Sequence, residues 1–170
     1  MEDVVDYNTT IKHIPILLKC GTLLFIAISF LFWLDEYSSF GLPELVPYTP
    51  IKLYGTLIIG FTITILIIGE KAILKKDAST NVWQLTLLGL IMFVIAEVPF
   101  QVIRAFSFDS DRIGHFLHGF VTNSIFMAFV SFFIAFQLKT KKTGKLILLI
   151  VGFAIVLKLL IELFPFIRNN

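Results

Sequence analysis

The residues able to do chemistry concentrate between positions 97 and 118. The chain there reads Glu97-Val98-Pro99-Phe100, then Asp111-Arg112-Ile113-Gly114-His115-Phe116-Leu117-His118-Gly119, and the segment holds two histidines, three acids and two arginines. Asp111, His115 and His118 are spaced four and three apart, which puts them on one face if a helix begins by Asp111. Neutral imidazole is the commonest transition-metal ligand, so His115 and His118 with a carboxylate would suit a divalent metal such as zinc. Arg104 and Arg112 could hold an anionic headgroup, and His115 with Glu97 could act as acid and base. Plainer readings stand beside these. Asp111 can cap a helix, where the dipole favours an acid by roughly 0.3–1 kcal/mol. Glu97 can pair with Lys158, Lys158 can pair with Glu162 four residues on, and Lys158 can also snorkel to a membrane surface. The phosphate-binding loop, the serine-hydrolase elbow, the dinucleotide fingerprint and the zinc-protease histidine pair are all absent from the sequence.

The elements that must position these residues are membrane helices. The 170 residues are 57% hydrophobic and 15% charged, with a mean hydropathy of +0.90. A soluble domain is usually near 45–50% apolar and about 25% charged. Five apolar stretches, about 14–34, 52–69, 82–103, 115–138 and 145–166, each approach the ~20 residues needed to cross ~30 Å of hydrocarbon. The expected fold is therefore all-α, a polytopic membrane protein built as a single five-transmembrane-helix bundle. Basic residues orient it. One side would hold nine lysines (Lys12, Lys19, Lys71, Lys75, Lys76, Lys139, Lys141, Lys142, Lys145), and the other four basic residues (Lys52, Arg104, Arg112, Arg168). The positive-inside rule then places the N-terminus in the cytoplasm and the C-terminus outside, in a multi-pass protein of the cell inner membrane. The acidic start, with Glu2, Asp3 and Asp6, does not read as a signal peptide, so the first apolar stretch is expected to stay as a helix. Basic residues do not cluster among aromatics, which argues against nucleic acid. Cys20, the single cysteine, reads as a packing residue.

The connections are short. Asp35 to Pro50 reads as an outer loop, because Pro43, Pro47 and Pro50 oppose a regular helix, with Tyr37, Phe40, Tyr48 and Tyr54 as an aromatic belt. Glu70 to Asn81 reads as a basic cytoplasmic link, and Lys139 to Gly144 as a tight lysine-rich turn. Small residues at Ser124, Ala128, Ser131 and Ala135, and at Thr56, Gly60 and Thr64, form stripes that let helices approach closely. Glu97 should lie about 10 Å below the outer surface, with Lys158 and Glu162 about 20 and 26 Å up the fifth helix. Pro99 is expected to kink the third helix. The candidate site is then Glu97, Arg104, Asp111, Arg112, His115, His118 and Glu162, converging in the outer half of the membrane, where ionisable groups are costly.

The Glu-Val-Pro-Phe turn at 97–100, followed by Asp111-Arg112-Ile113-Gly114-His115-Phe116 and Gly119, resembles the YjdF-like bacterial inner-membrane proteins. The acid-basic-x-x-His helix start is also faintly similar to VanZ-like proteins. Glu162 is similar to a glutamate in the next helix of the YjdF-like pattern. The resemblance spans about 70 of the 170 residues. The family's final helix has no counterpart before Asn170, and Met92 to Ala96 stands where the family has a histidine and tyrosines. The resemblance implies the fold and the place of the site, and no reaction.

Three functions follow. The first-ranked is a structural or assembly protein, its polar cluster fixing helix register, with a membrane protein or a second copy as partner. Next is an outward-facing site for a small molecule, a lipid headgroup or a divalent metal, with enzymatic chemistry in reach. An ion or proton path ranks last, because the inner halves of the helices read as apolar apart from Thr86 and Gln137.

Overall fold

The computed structural model describes residues 7–41, 49–108 and 112–163, without the side chains of residues 7–9, 34–41, 49–54, 104, 107–108, 112–113, 115, 118, 157 and 160–163. Five helices follow in order: α1 (Tyr7–Gly41), α2 (Thr49–Lys76), α3 (Val82–Phe108), α4 (Arg112–Thr140) and α5 (Thr143–Leu163). No strand occurs among the described residues. Four stretches, Thr10–Trp33, Gly55–Lys76, Val82–Ile103 and Gly119–Thr140, are long and apolar enough to cross a membrane; the described apolar part of α5, Thr143–Val156, is shorter. The chain is thus an all-helical, multi-pass membrane protein.

The helices overrun the apolar stretches. α1 continues to Gly41, through part of what reads as a proline-rich loop, and Pro50 sits in the first turn of α2. There its missing N–H leaves no helical bond unmade. Pro43 and Pro47, and the side chains of Tyr37, Phe40, Tyr48 and Tyr54, lie outside the described residues. α3 remains helical through Pro99.

The turns at the lysine-rich end have local causes. Asn81 Oδ1 accepts from the Gln84 N–H at 2.8 Å while Gln84 Oε1 accepts from the Asn81 N–H at 3.1 Å. This reciprocal cap starts α3 by satisfying two otherwise orphaned donors. α4 stops where Lys141 turns left-handed, with φ of 54°, and its N–H bonds the Gln137 carbonyl at 2.9 Å, an αL-type stop. Lys139 Nζ donates to the Ala78 carbonyl at 2.5 Å, tying one turn to the other. Lys12 Nζ lies 3.6 Å from Asp77 Oδ2, bringing in the start of α1.

α1 to α4 form a bundle in which α3 packs chiefly on α4 and α1, α1 on α2, and α2 also on α4; among the described residues α5 touches only α4. Packing follows helical faces. On α1, His13, Leu17, Cys20, Leu24, Ile28 and Leu31 are buried, at the three- and four-residue spacing of one face. Exposed side chains are apolar as well, among them Leu18, Phe30, Ile68, Ile125 and Leu148. That inversion suits helices bathed in lipid, where association comes from close packing and buried polar bonds. Three glycines serve that packing. A Cβ on Gly21 would meet Ile95 Cγ2 at 2.6 Å, one on Gly69 would meet Met92 Sδ at 2.5 Å, and one on Gly89 would collide with Ser131 and Glu70. The expected stripe of Thr56, Gly60 and Thr64 does not pack. Gly60 has open space around it, and Thr64 bonds back to its carbonyl at 2.7 Å. The α4 stripe does pack, with Ser131 and Ala135 fully buried.

Candidate functional site

Two buried carboxylates sit in the bundle, at different levels and in different surroundings. The upper one is Glu97, about 22 Å along α3 from Val82 by helix rise, in the half away from the lysines. It is 2% exposed. Its Oε1 accepts two bonds, from Gln101 Nε2 and Asn123 Nδ2, each at 2.6 Å. Gln101 sits one turn above Glu97 on α3, so the two share a face. Gly119 on α4 leaves room for the Gln101 amide, whose Oε1 lies only 3.0 Å from where a Cβ would be.

Glu97 lines a cavity of about 450 Å³ that lies among α1 to α4. Ile28 and Phe32 contribute from α1, Ile58, Ile59, Thr62 and Ile63 from α2, Phe93 and Phe100 from α3, and Asn123, Phe126, Met127 and Val130 from α4. Ile59 on α2 and Phe126 on α4 are half-exposed, so the lining reaches the outside of the bundle at these two residues. Neither of these two bonds uses Oε2, and among the described residues Glu97 is the single charged one in the lining.

The lower carboxylate is Glu70, near the lysine-rich end of α2 and fully buried. The Ser131 hydroxyl on α4 donates to Glu70 Oε1 and lies 3.1 Å from the Thr86 carbonyl on α3. Three helices are thus knotted at one point, over the gap left by Gly89. Glu70 Oε2 is buried with no partner among the described residues. A hydroxyl carries one proton, so Ser131 cannot donate to Glu70 Oε1 and to the Thr86 carbonyl at once. His13 on α1 is also fully buried, and neither ring nitrogen is bonded within the described structure.

These observations correct the reading from sequence. Glu70 belongs to the core of α2, not to a cytoplasmic link. The half of the bundle nearer the lysines is not apolar, since it holds Glu70, Ser131 and His13. The partners of Glu97 are Gln101 and Asn123, not Lys158, and α3 makes no contact with α5 among the described residues. Among the described residues α5 packs on α4, and the side chain of Glu162, expected to converge with Glu97, lies outside them. Arg104 belongs to α3, and Arg112, His115 and His118 to the first turns of α4, with side chains outside the described residues; Asp111 lies outside them altogether. Among the described residues no three His, Cys, Asp or Glu side chains gather as a metal site would need, and the proposed ligands His115 and His118 are not in that set. Asn123 and Gln101 had a signal that was passed over, as amides on the same helical faces as Met127 and Glu97.

No family model matches the chain, and neither a curated protein nor a solved structure does.

Proposed function

We propose that this membrane protein is a binding protein for a small amphiphile, which enters the cavity from the bilayer between α2 and α4. The observation that carries this reading is a single buried carboxylate at the polar end of an apolar chamber. Ligand sites are usually apolar hollows of 300–1,000 Å³ with a few fixed polar groups, and about 450 Å³ lies in that range. An acid in a membrane helix has a high cost to meet. Two amide donors hold one oxygen of Glu97 and leave the other for a guest. In this proposal α5 is a fifth crossing, and the lysine-rich end faces the cytoplasm by the positive-inside rule. The cavity would then open in the outer leaflet, and Arg104, Arg112, His115 and His118 would lie above it on the same side. They are candidates for steering a ligand in.

The Glu70 knot favours a second role for buried polarity, the fixing of helix register. That is the structural reading, and it suits the lower carboxylate.

The test is mass spectrometry of small molecules retained by the purified protein, beside Met127→Trp, which fills the cavity. The expected result is a near-stoichiometric amphiphile in wild type, lost in the folded variant. An identical complement in both would overturn the reading.

A further inference from the structure

The chemistry of the cavity says more about its guest, on the reading just given. Around Glu97 the described structure supplies donors to one oxygen and no cation. Gln101 and Asn123 both give N–H groups to Oε1. Two converging N–H groups require an acceptor oxygen, and Glu97 Oε1 supplies it. Among the described residues the rest of the cavity lining is apolar apart from Thr62 and Asn123, and an uncompensated charge in apolar surroundings is expensive. Four phenylalanines, Phe32, Phe93, Phe100 and Phe126, belong to the same wall. Their ring faces are negative and attract cations within about 6 Å. Phe32 and Phe100 already hold each other edge to face at 5.5 Å, which fixes part of that wall.

Inorganic cations fit poorly. Calcium needs six to eight oxygen ligands and magnesium a near-octahedral set, while the described residues of the cavity offer one carboxylate, one carboxamide and one threonine. A neutral amphiphile would fill the apolar space and leave the carboxylate unmatched. An organic cation with an apolar body meets both demands, with its charge against Glu97 Oε2 and its body against the phenylalanines.

We propose that the cavity binds lipophilic organic cations, with the Glu97 carboxylate as the charge-recognising group and the phenylalanine wall as the surface for the body of the ligand. Asn123 and Gln101 are positioning residues that hold the carboxylate turned to the cavity.

Two ions of one shape and opposite charge test this directly. Equilibrium binding of tetraphenylphosphonium and of tetraphenylborate is measured on the purified full chain in neutral detergent, for wild type, Glu97→Gln and Met127→Trp. The expected result is saturable binding of the phosphonium, at least about tenfold tighter than the borate, with that preference gone in Glu97→Gln. Equal binding of the two ions by wild type overturns the charge assignment, and this arm needs no variant to fold. Equal binding that disappears in Met127→Trp would still leave the cavity reading standing. Phosphonium binding undiminished in Glu97→Gln, or no binding of either ion by wild type, overturns the proposal as well.

Discussion

Glu70 and Glu97 are both glutamates on apolar helices, both nearly inaccessible, and about 12 Å apart along the α3 axis if Gly89 marks the level of Glu70. What surrounds them differs. Glu70 is closed in by Ser131, Thr86 and the bare backbone at Gly89. Glu97 is held from one side by two amides and faces open space on the other. Burial alone therefore does not mark a site. A buried acid closed in by packed groups ties helices together, while one that lines a hollow is equipped to receive something.

If that contrast is right, the largest effect on folding belongs to the lower site. Gly89→Ala should cost about 1–3 kcal/mol by overpacking, read as a lower unfolding temperature in detergent, because its Cβ would displace both Ser131 and Glu70. A neutral outcome would mean that the knot is not close-packed. Ser131→Ala should follow at about 1–3 kcal/mol, the cost of leaving a buried polar group without its partner. Glu70→Gln sharpens the point. An amide accepts as the acid does and adds the donor that one hydroxyl proton cannot supply, so stability should change by no more than about 1 kcal/mol. A large loss would show that the knot needs the acid itself.

At the upper site the same exchange should separate stability from binding. Glu97→Gln keeps an acceptor for Gln101 and Asn123, so unfolding should shift by less than about 1 kcal/mol while cation binding falls. A stability loss as large as that of Ser131→Ala would erase the distinction between the sites.

The smallest effect lies outside the bundle core. The Ser79 hydroxyl, 2.5 Å from Asp77 Oδ1, and then the Ser79 N–H at 3.1 Å hold the Asp77 carboxyl below the usual carboxylate range, with Lys12 adding to this. A depressed folded-state value stabilises above the unfolded value and stops doing so as pH falls through the folded one. The turn between α2 and α3 should therefore loosen only below about pH 4. Asp77→Asn should remove that acid-side slope in a pH series of unfolding temperatures.

Much of the architecture was legible because membrane helices announce themselves by long apolar stretches. The turn at Lys139 to Gly144 was readable for the same reason, as a polar break between two of them. Helix ends were not, since α1 continues past its apolar stretch to Gly41. Glu97 was readable as an acid that must find a partner, but the partners are amides, and amides leave no mark in a charge pattern. Glu70 was missed because Lys71, Lys75 and Lys76 follow it and make it look like the start of a link. The signal was there in spacing. Leu66, Gly69, Glu70 and Ile73 fall at the three- and four-residue intervals of a buried face, and all four are buried. His13 shares the buried face of α1 with Leu17 and Cys20 in the same way.

The most direct measurement is site-resolved labelling at mildly acidic pH by dicyclohexylcarbodiimide, an apolar reagent that enters from the bilayer and reacts with carboxyl groups in their protonated form. Protein in lipid nanodiscs is treated, and each glutamate is read by peptide mass spectrometry. A cavity whose lining reaches the outside of the bundle at Ile59 and Phe126 predicts an adduct on Glu97, suppressed in Met127→Trp, with Glu70 unmodified until the protein is unfolded. Equal labelling of the two, or labelling of Glu70 alone, would contradict the account.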